Sequence, residues 1–435
     1  MSIFLFVIFF LSLYYCKQGN KALALFLFFN YSNGFGFIDP GLYKNSLIHI
    51  GYMGILYFLY IAYTQNRDCF KFNGDSIAKV VGVLSLYFFL HFIGSVLLNV
   101  DSPKNCLQSY LANIPWLMFF YIREFNKEEA KSFFKYTFVL SVAQGFFYYL
   151  QFWGIRGVLN GGDVGILEDV RFYNQPFWSM IILLYILVSS FENVSYRYFL
   201  LLFFLPLPIL SQGRGIVIAL GLTVLVYMII NRKKRNVILL IGSLIFYQIA
   251  VEPMFERRDK YESASTLTEF RTVLSNPISV YNEYDSDNGT LSFRIAMLME
   301  RVMFITENPQ YFMFGVGDVY DESKFYFSLG TRNETSYHGR TILSSVDIDW
   351  VEPTIKYGVL GVIIYLFLYI IWWKNGLKIY RRNKEDGFLV MAFMYCVYAF
   401  SSSFGTSPLH RRLYIAIFCL AVISIYIKQL NEQRE

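Results

Sequence analysis

Apolar residues run in long blocks along most of this chain, with little of the strict alternation that marks a half-buried strand. Blocks near the ~20 residues that cross a bilayer occur at about 2–16, 22–37, 47–64, 79–99, 106–122, 133–153, 176–191, 198–211, 215–231, 236–251, 350–373, 387–404 and 412–428. Several are short, so the pattern predicts 12–14 transmembrane helices. The first block starts at Met1 with no basic segment ahead of it and no small-residue cleavage site before Lys17, which predicts a retained helix rather than a signal peptide. The pattern breaks over 252–349. Inside that polar stretch, "SFRIAMLMERVMFITENP" (292–309) sets apolar residues at helical spacing with charges between them. This predicts an amphipathic helix near 292–308 on the membrane face, stopped by Pro309. The expected fold is all-α, a single polytopic membrane domain over 1–435 with one large extracytoplasmic loop inserted at 252–349.

Composition agrees with the pattern: 55% of the 435 residues are hydrophobic, 20% aromatic and only 16% charged. Such a chain is not a soluble domain. Charge then orients it. "NRKKR" (231–235) and "KNGLKIYRRNKEDG" (374–387) are basic turns that stay in the cytoplasm under the positive-inside rule. Between them, residues 251–350 carry 16 acidic and nine basic side chains, net −7 in a chain of net +6. The large loop is therefore expected outside, together with the loop at 154–175, the turn at 211–215, the turn at 406–411 and a cytoplasmic C-terminus. Five cysteines, Cys16, Cys69, Cys106, Cys396 and Cys419, show no paired spacing, so neither a disulfide framework nor a metal site is suggested.

Candidate chemistry gathers on the outer side. "EDVRFYNQP" contains Arg171, "SQGRG" contains Arg214, Arg294 heads the amphipathic helix, and "SYHGR" contains His338 and Arg340. An arginine keeps its proton, and one at the centre of a spanning helix costs roughly 2.5–3.5 kcal/mol, so Arg214 calls for an anion. Guanidinium groups suit phosphate because the planar fork donates paired, charge-assisted hydrogen bonds. The glycine-flanked turn before the helix at 215 also offers backbone N–H groups at the positive end of a dipole. Each arginine alone could equally snorkel to headgroups or meet a carboxylate, as Arg171 could meet Glu168. Arg257, Arg258, Arg301 and Arg332 have acidic neighbours and read as solvated loop charge. His49 and His91 lie in apolar spans and read as hydrogen-bonded interior residues; "LHRR" (409–412) reads as a headgroup anchor, its outer position keeping it a weak candidate for the site. Tyr173, Trp178, Tyr337 and Trp350 could stack on sugar rings, but such aromatics are ordinary interfacial anchors. "DSD" (285–287) and "DID" (347–349) are short enough to arise by chance in an acidic loop, and no metal or cofactor is expected.

Taken together these elements resemble the O-antigen polymerase and ligase superfamily of integral membrane glycosyltransferases. "SQGRG" resembles that family's S-x-S-R-G element. "GTLSFRIAMLMERVMFITENPQYFMFGVG" (289–317) is similar to its arginine, helix, proline and G-x-G, and "YHGRTILSSVDIDWVEPTIKYGVLGVIIYL" (337–366) to its histidine, acidic residue and G-x-x-G. "VRFYNQP" is similar to the arginine and proline of its earlier outer loop. The order matches over roughly 165–370. Gln212 and Gly213 depart from the family's small polar residues, and the histidine lies far from Glu352.

The resemblance implies a GT-C-like membrane enzyme in the bacterial inner membrane with its site facing the periplasm. Its substrates would be glycans linked to undecaprenyl pyrophosphate, its surroundings the lipid bilayer, and a chain-length regulator a further partner; nucleic acid is not expected. A polymerase moves the growing chain onto a new repeat unit; a ligase moves the finished chain onto the lipid A core. Breaking the C1–diphosphate bond loads charge on the leaving group, which fixed cations stabilise. Arg171, Arg214, Arg294 and Arg340 are the candidates for the diphosphate. The attacking hydroxyl must lose a proton, to His338, whose unperturbed pKa of ~6.5 lies near working pH, or to Asp347, Asp349 or Glu352. Abundant Tyr and Phe, 35 and 45 residues, favour the polymerase. A flippase or other transporter would share the many spans, but the long outer loop and the lack of matching halves weigh against it.

Overall fold

The computed structural model describes residues 3–31, 46–72, 74–150, 175–189, 194–210, 214–231, 290–319, 327, 348–404 and 408–433. Among these the chain is helical, with no strand. The first helices are α1 (Ile3–Lys17), α2 (Lys21–Asn30), α3 (Ser46–Gln65), α4 (Ser76–Leu97), α5 (Pro103–Leu111), α6 (Met118–Ile122) and α7 (Lys127–Tyr149). Then come α8 (Ser179–Val188), α9 (Val194–Phe204), α10 (Pro206–Leu210), α11 (Arg214–Asn231), α12 (Thr290–Glu307) and α13 (Pro309–Phe312). The last four are α14 (Val351–Tyr380), α15 (Gly387–Ser402), α16 (Pro408–Arg411) and α17 (Leu413–Glu432). Helices α4, α14 and α17 are long and apolar enough to cross a membrane; α1, α2, α8, α11 and α15 are apolar but shorter. The described chain is thus all-α, with three helices that could cross a membrane by length and composition. The block at 236–251 and residues 252–289 and 328–347 of the polar stretch lie outside the described residues.

Helix ends follow local chemistry. Asp75 caps α4 by accepting from the Ile77 and Ala78 N–H groups, and Asn126 with Glu129 forms a reciprocal capping box on α7. Two expected spans are interrupted. Over 106–122 the chain forms α5, a 3-10 turn at Ile114–Leu117 and α6, because Pro115 brings no N–H and its ring would strike the carbonyl four residues back. Over 198–211 the same effect of Pro206, the first residue of α10, divides α9 from α10.

Burial sorts the helices. Helix α17 is covered on nearly every side, Ile415 through Ile425 lying within the core, so it is the central element. In contrast, α4 turns Val83, Leu86, Phe89, Leu90 and Ile93 outward, a face suited to lipid rather than water.

The long helices share two ends. At one, Asp75 bonds the Ser424 hydroxyl, Asn375 donates to Ser76, and Lys428 pairs with Glu124. Asp386, capping α15 at this end, is held by Lys127 at 2.6 Å and by the Tyr426 hydroxyl at 2.5 Å. At the other end α14 begins at Trp350, α4 finishes, α15 reaches Ser403 and α17 starts. The 23 residues between Glu352 and Asn375 separate the two ends by roughly 35 Å at 1.5 Å per residue.

One helix is broken to fit. Within α14, Gly358 takes φ +63°, ψ −161°. The Ile355 and Lys356 carbonyls freed by the break accept from Val316 and Gly317 N–H at 2.9 and 3.2 Å, the Tyr357 carbonyl accepts from the Tyr87 hydroxyl, and Leu360 N–H donates to the Met313 carbonyl. A backbone break at this depth is tolerable because each exposed group has a new partner. A Cβ on Gly358 would sit 2.5 Å from the Gly315 nitrogen, and one on Gly315 2.3 Å from the Lys356 oxygen. The two glycine motifs, G-x-G at 315–317 and G-x-x-G at 358–361, are two sides of one backbone contact.

Candidate functional site

The head of α14 is fixed before it carries chemistry. Asp349 N–H donates to the Ser403 carbonyl, its carboxylate accepts the Leu409 N–H at 2.9 Å, and the Trp350 indole donates to the Ser403 hydroxyl. These bonds tie the start of α14 to the end of α15 and the start of α16. Between them and the α5–α6 break lies a cleft of about 210 Å³. Its walls include Asn113, Pro115, Trp116, Asp349, Glu352, Pro353, Tyr365 and Tyr414. The proline that interrupts the expected span at 106–122 therefore helps to make the cleft.

Two sequence-predicted residues, Asp349 and Glu352, meet in this cleft. Asp349 stands just ahead of α14 and Glu352 in its first turn, and both line the cleft. Glu352 is held by Lys356 one turn on, at 2.8 Å. From there a chain of contacts runs inward. Lys356 Nζ donates to Ser109 Oγ at 3.2 Å, Ser109 donates to Asp318 Oδ1 at 3.2 Å, and Asp318 Oδ2 lies 2.9 Å from His91 Nδ1. His91 Nε2 faces the Phe314 carbonyl at 2.9 Å. A carbonyl can only accept, so Nε2 is the donor in that contact. Lys356, Ser109, Asp318 and His91 thus satisfy one another's hydrogen bonds inside the protein. His91 is a hydrogen-bonded interior residue, as its apolar surroundings suggested. Asp318, fully buried, has no signal in the sequence beyond its place after G-x-G.

The arginines divide. Arg214 opens α11, which packs along α15. The far end of α11 reaches α8, where Tyr227 bonds the Val188 carbonyl beside Gly387's neighbour Ser189. The α11 start, with the Arg214 backbone, thus lies toward the cleft end; its side chain is outside the described residues. Arg294 sits one turn into α12, half buried, on a helix packed against α14. Arg171, His338, Arg340 and Asp347 lie outside the described residues, as do Arg257, Arg258, Arg332, Tyr173, Tyr337 and the side chain of His49.

One reading is corrected. Arg301, expected to be solvated loop charge, is fully buried: its Nη1 lies 2.5 Å from Glu300 and its guanidinium 4.3 Å from the centre of the Phe327 ring. It recurs seven residues after Arg294, two turns along the same face of α12. That spacing was the available signal, hidden by the acidic neighbours. Trp178 and Trp350, for which sugar stacking was the lesser alternative, serve in packing. Trp178 is fully buried with its indole on Asn30, and Trp350 lies against Tyr369 and Phe404.

At this end Arg412, just before α17, donates from Nη2 to the Gln175 side-chain oxygen at 3.2 Å. Among the described residues no three of His, Cys, Asp and Glu gather closely enough to hold a metal ion. The described lining of the cleft carries two carboxylates and no cation, so it can accept hydrogen bonds or a proton but would repel a phosphate. No protein-family model and no curated protein matches the chain.

Proposed function

We propose that the protein is a membrane glycosyltransferase that polymerises oligosaccharide repeat units linked to undecaprenyl pyrophosphate. It would build O-antigen or a related surface polysaccharide on the periplasmic face and release undecaprenyl pyrophosphate. The observation that carries this reading is the cleft at the head of α14, which brings Asp349 and Glu352 together at the end of the spans opposite Lys127, Asp386 and Lys428. The basic turn at 374–387 belongs to that opposite end, so the positive-inside rule turns the cleft outward.

In this reading the acceptor sugar's hydroxyl oxygen bonds to C1 of the donor glycan. The bond from C1 to the diphosphate oxygen breaks, and its electron pair stays on the diphosphate. The hydroxyl proton passes to a carboxylate of the cleft. Glu352 is the better placed, since Lys356 fixes it and the Asp349 carboxylate already holds the Leu409 N–H. Arg214 and Arg294, with Arg171 and Arg340, take the growing charge on the leaving group. Fixed guanidinium groups do this well because they need no reorganisation as charge develops.

Complementation tests it. In a strain lacking the protein, the wild-type chain restores a ladder of lipopolysaccharide, while Arg214→Ala or Glu352→Gln leaves core capped with a single repeat unit. An unchanged ladder in both variants rejects these roles. Bare core with accumulated long lipid-linked polymer in the deletion strain would mark a ligase instead.

A further inference from the structure

Glu352 lies in the cleft, but the contacts that place it come from elsewhere in the chain. Its partner Lys356 is gripped twice by the segment 314–318 that follows α13. Through the backbone, Val316 and Gly317 N–H donate to the Ile355 and Lys356 carbonyls. Through side chains, Lys356 Nζ donates to Ser109 Oγ of α5, and Ser109 gives its single proton to Asp318, which ends the segment. Asp318, Ser109 and Lys356 are all buried, where water competes little for these bonds.

The segment is in turn held by one face of α4. His91 bridges its two ends, with Nε2 2.9 Å from the Phe314 carbonyl and Nδ1 2.9 Å from Asp318 Oδ2. One helical turn on, Ser95 Oγ accepts the Asp318 N–H at 2.9 Å and donates to the His91 carbonyl. The imidazole is packed edge to face on Tyr357, the neighbour of Lys356, with ring centres 4.8 Å apart. Gly315 and Gly317, at φ +71° and +98°, let the chain reverse tightly enough for residues 314 and 318 to meet one ring. A Glu–Lys pair four residues apart forms on any helix surface and is weakly held there. Here the lysine is fixed by α4, α5 and the segment after α13 together.

We propose that His91, Ser109 and Asp318 are positioning residues: they seat Lys356, Lys356 fixes Glu352, and the base of the cleft is thereby set by the docking of the polar stretch that carries α12 and α13. The inference rests on the polymerase reading for the role of Glu352, but not for the seat itself. A base must lie within hydrogen-bond reach of the proton it takes, so a small displacement of Glu352 lowers turnover far more than it weakens substrate binding.

The test uses the full chain in detergent, with undecaprenyl-pyrophosphate-linked repeat units as substrate and amide hydrogen exchange followed by mass spectrometry on the same preparations. Ser109→Ala deletes one hydroxyl and leaves the backbone bonds of the segment in place. Its exchange at Val316, Gly317 and Leu360 should match wild type, while kcat falls about tenfold and KM stays within about twofold. A purely structural serine would leave kcat alone. His91→Phe removes the bridge, so exchange at the same three amides should rise about tenfold or more. Ser95→Ala is a smaller cut at the same place and should raise exchange less; it keeps the readout if His91→Phe does not fold. Wild-type kcat in Ser109→Ala, a loss carried by KM instead, or unchanged exchange in both α4 variants overturns the proposal. If exchange rises as expected but wild type makes no polymer, the seat stands and the polymerase reading falls. If polymer forms and neither exchange nor kcat moves in the variants, the reverse holds.

Discussion

Gly358→Ala is the sharpest mechanical test of the fold around the cleft. At φ +63°, ψ −161° the backbone lies in a region essentially reserved for glycine, where alanine costs about 1–3 kcal/mol. Its Cβ would also sit 2.5 Å from the Gly315 nitrogen and 2.7 Å from the Met313 carbonyl carbon, backbone atoms that cannot rotate away. Overpacking of that kind adds about 1–3 kcal/mol. The expected loss is therefore about 2–6 kcal/mol, against a control at Gly94 or Gly221. Both controls lie within helices with nothing inside 4 Å, where alanine is neutral or up to about 1 kcal/mol better. The assay is the fraction of detergent-purified protein surviving a temperature ramp, read by fluorescence-detected gel filtration. Since Gly315 and Gly358 share one contact, the double alanine variant should lose less than the sum of the singles. Equal survival of Gly358→Ala and Gly94→Ala would refute the docked-break account.

Two further predictions concern charge. Lys356→Met removes the cation from a largely covered Glu352 and should cost about 3–5 kcal/mol, while adding Glu352→Leu should recover most of it; denaturant titration of the single and double variants in one detergent checks this, and a double variant no better than the single contradicts it. Asp386 sits below the ordinary carboxylate value of 3.8: burial pushes it up, but the Lys127 and Tyr426 contacts and the Leu389 N–H together outweigh this. A lowered native pKa means the group stabilises the fold above the ordinary carboxylate range and loses that contribution as pH falls through the native value. Melting temperature should therefore drop as pH falls below about 4, and drop less steeply for Asp386→Asn; parallel curves would show that Asp386 contributes nothing.

The apolar blocks made the helices legible, because each is one long stretch whose burial needs no knowledge of its neighbours. Pro115 was legible too as a residue type, yet its effect was masked by the apolar run around it, and the break it causes is what opens the cleft. Asp349 and Glu352 could be named because the acidic residues cluster before an apolar span. Lys356, Ser109, Asp318 and His91 could not be joined from sequence, since they come from four segments up to 265 positions apart, from His91 to Lys356, and meet only when α4, α5 and α14 pack. The glycine motifs were visible as patterns, but their reason is a contact between the two motifs. Arg301 was misjudged because its local neighbours said solvated, and burial is set by distant helices.

The central claim is that this chain joins lipid-linked glycans through the cleft at the head of α14. Purified protein in detergent, given undecaprenyl-pyrophosphate-linked repeat units, tests it most directly by gel analysis of chain length. The account predicts longer glycans from wild type and none from Glu352→Gln, with no sealed membrane needed. Glycans that stay one unit long with wild type, or elongate as fast with Glu352→Gln, would contradict it.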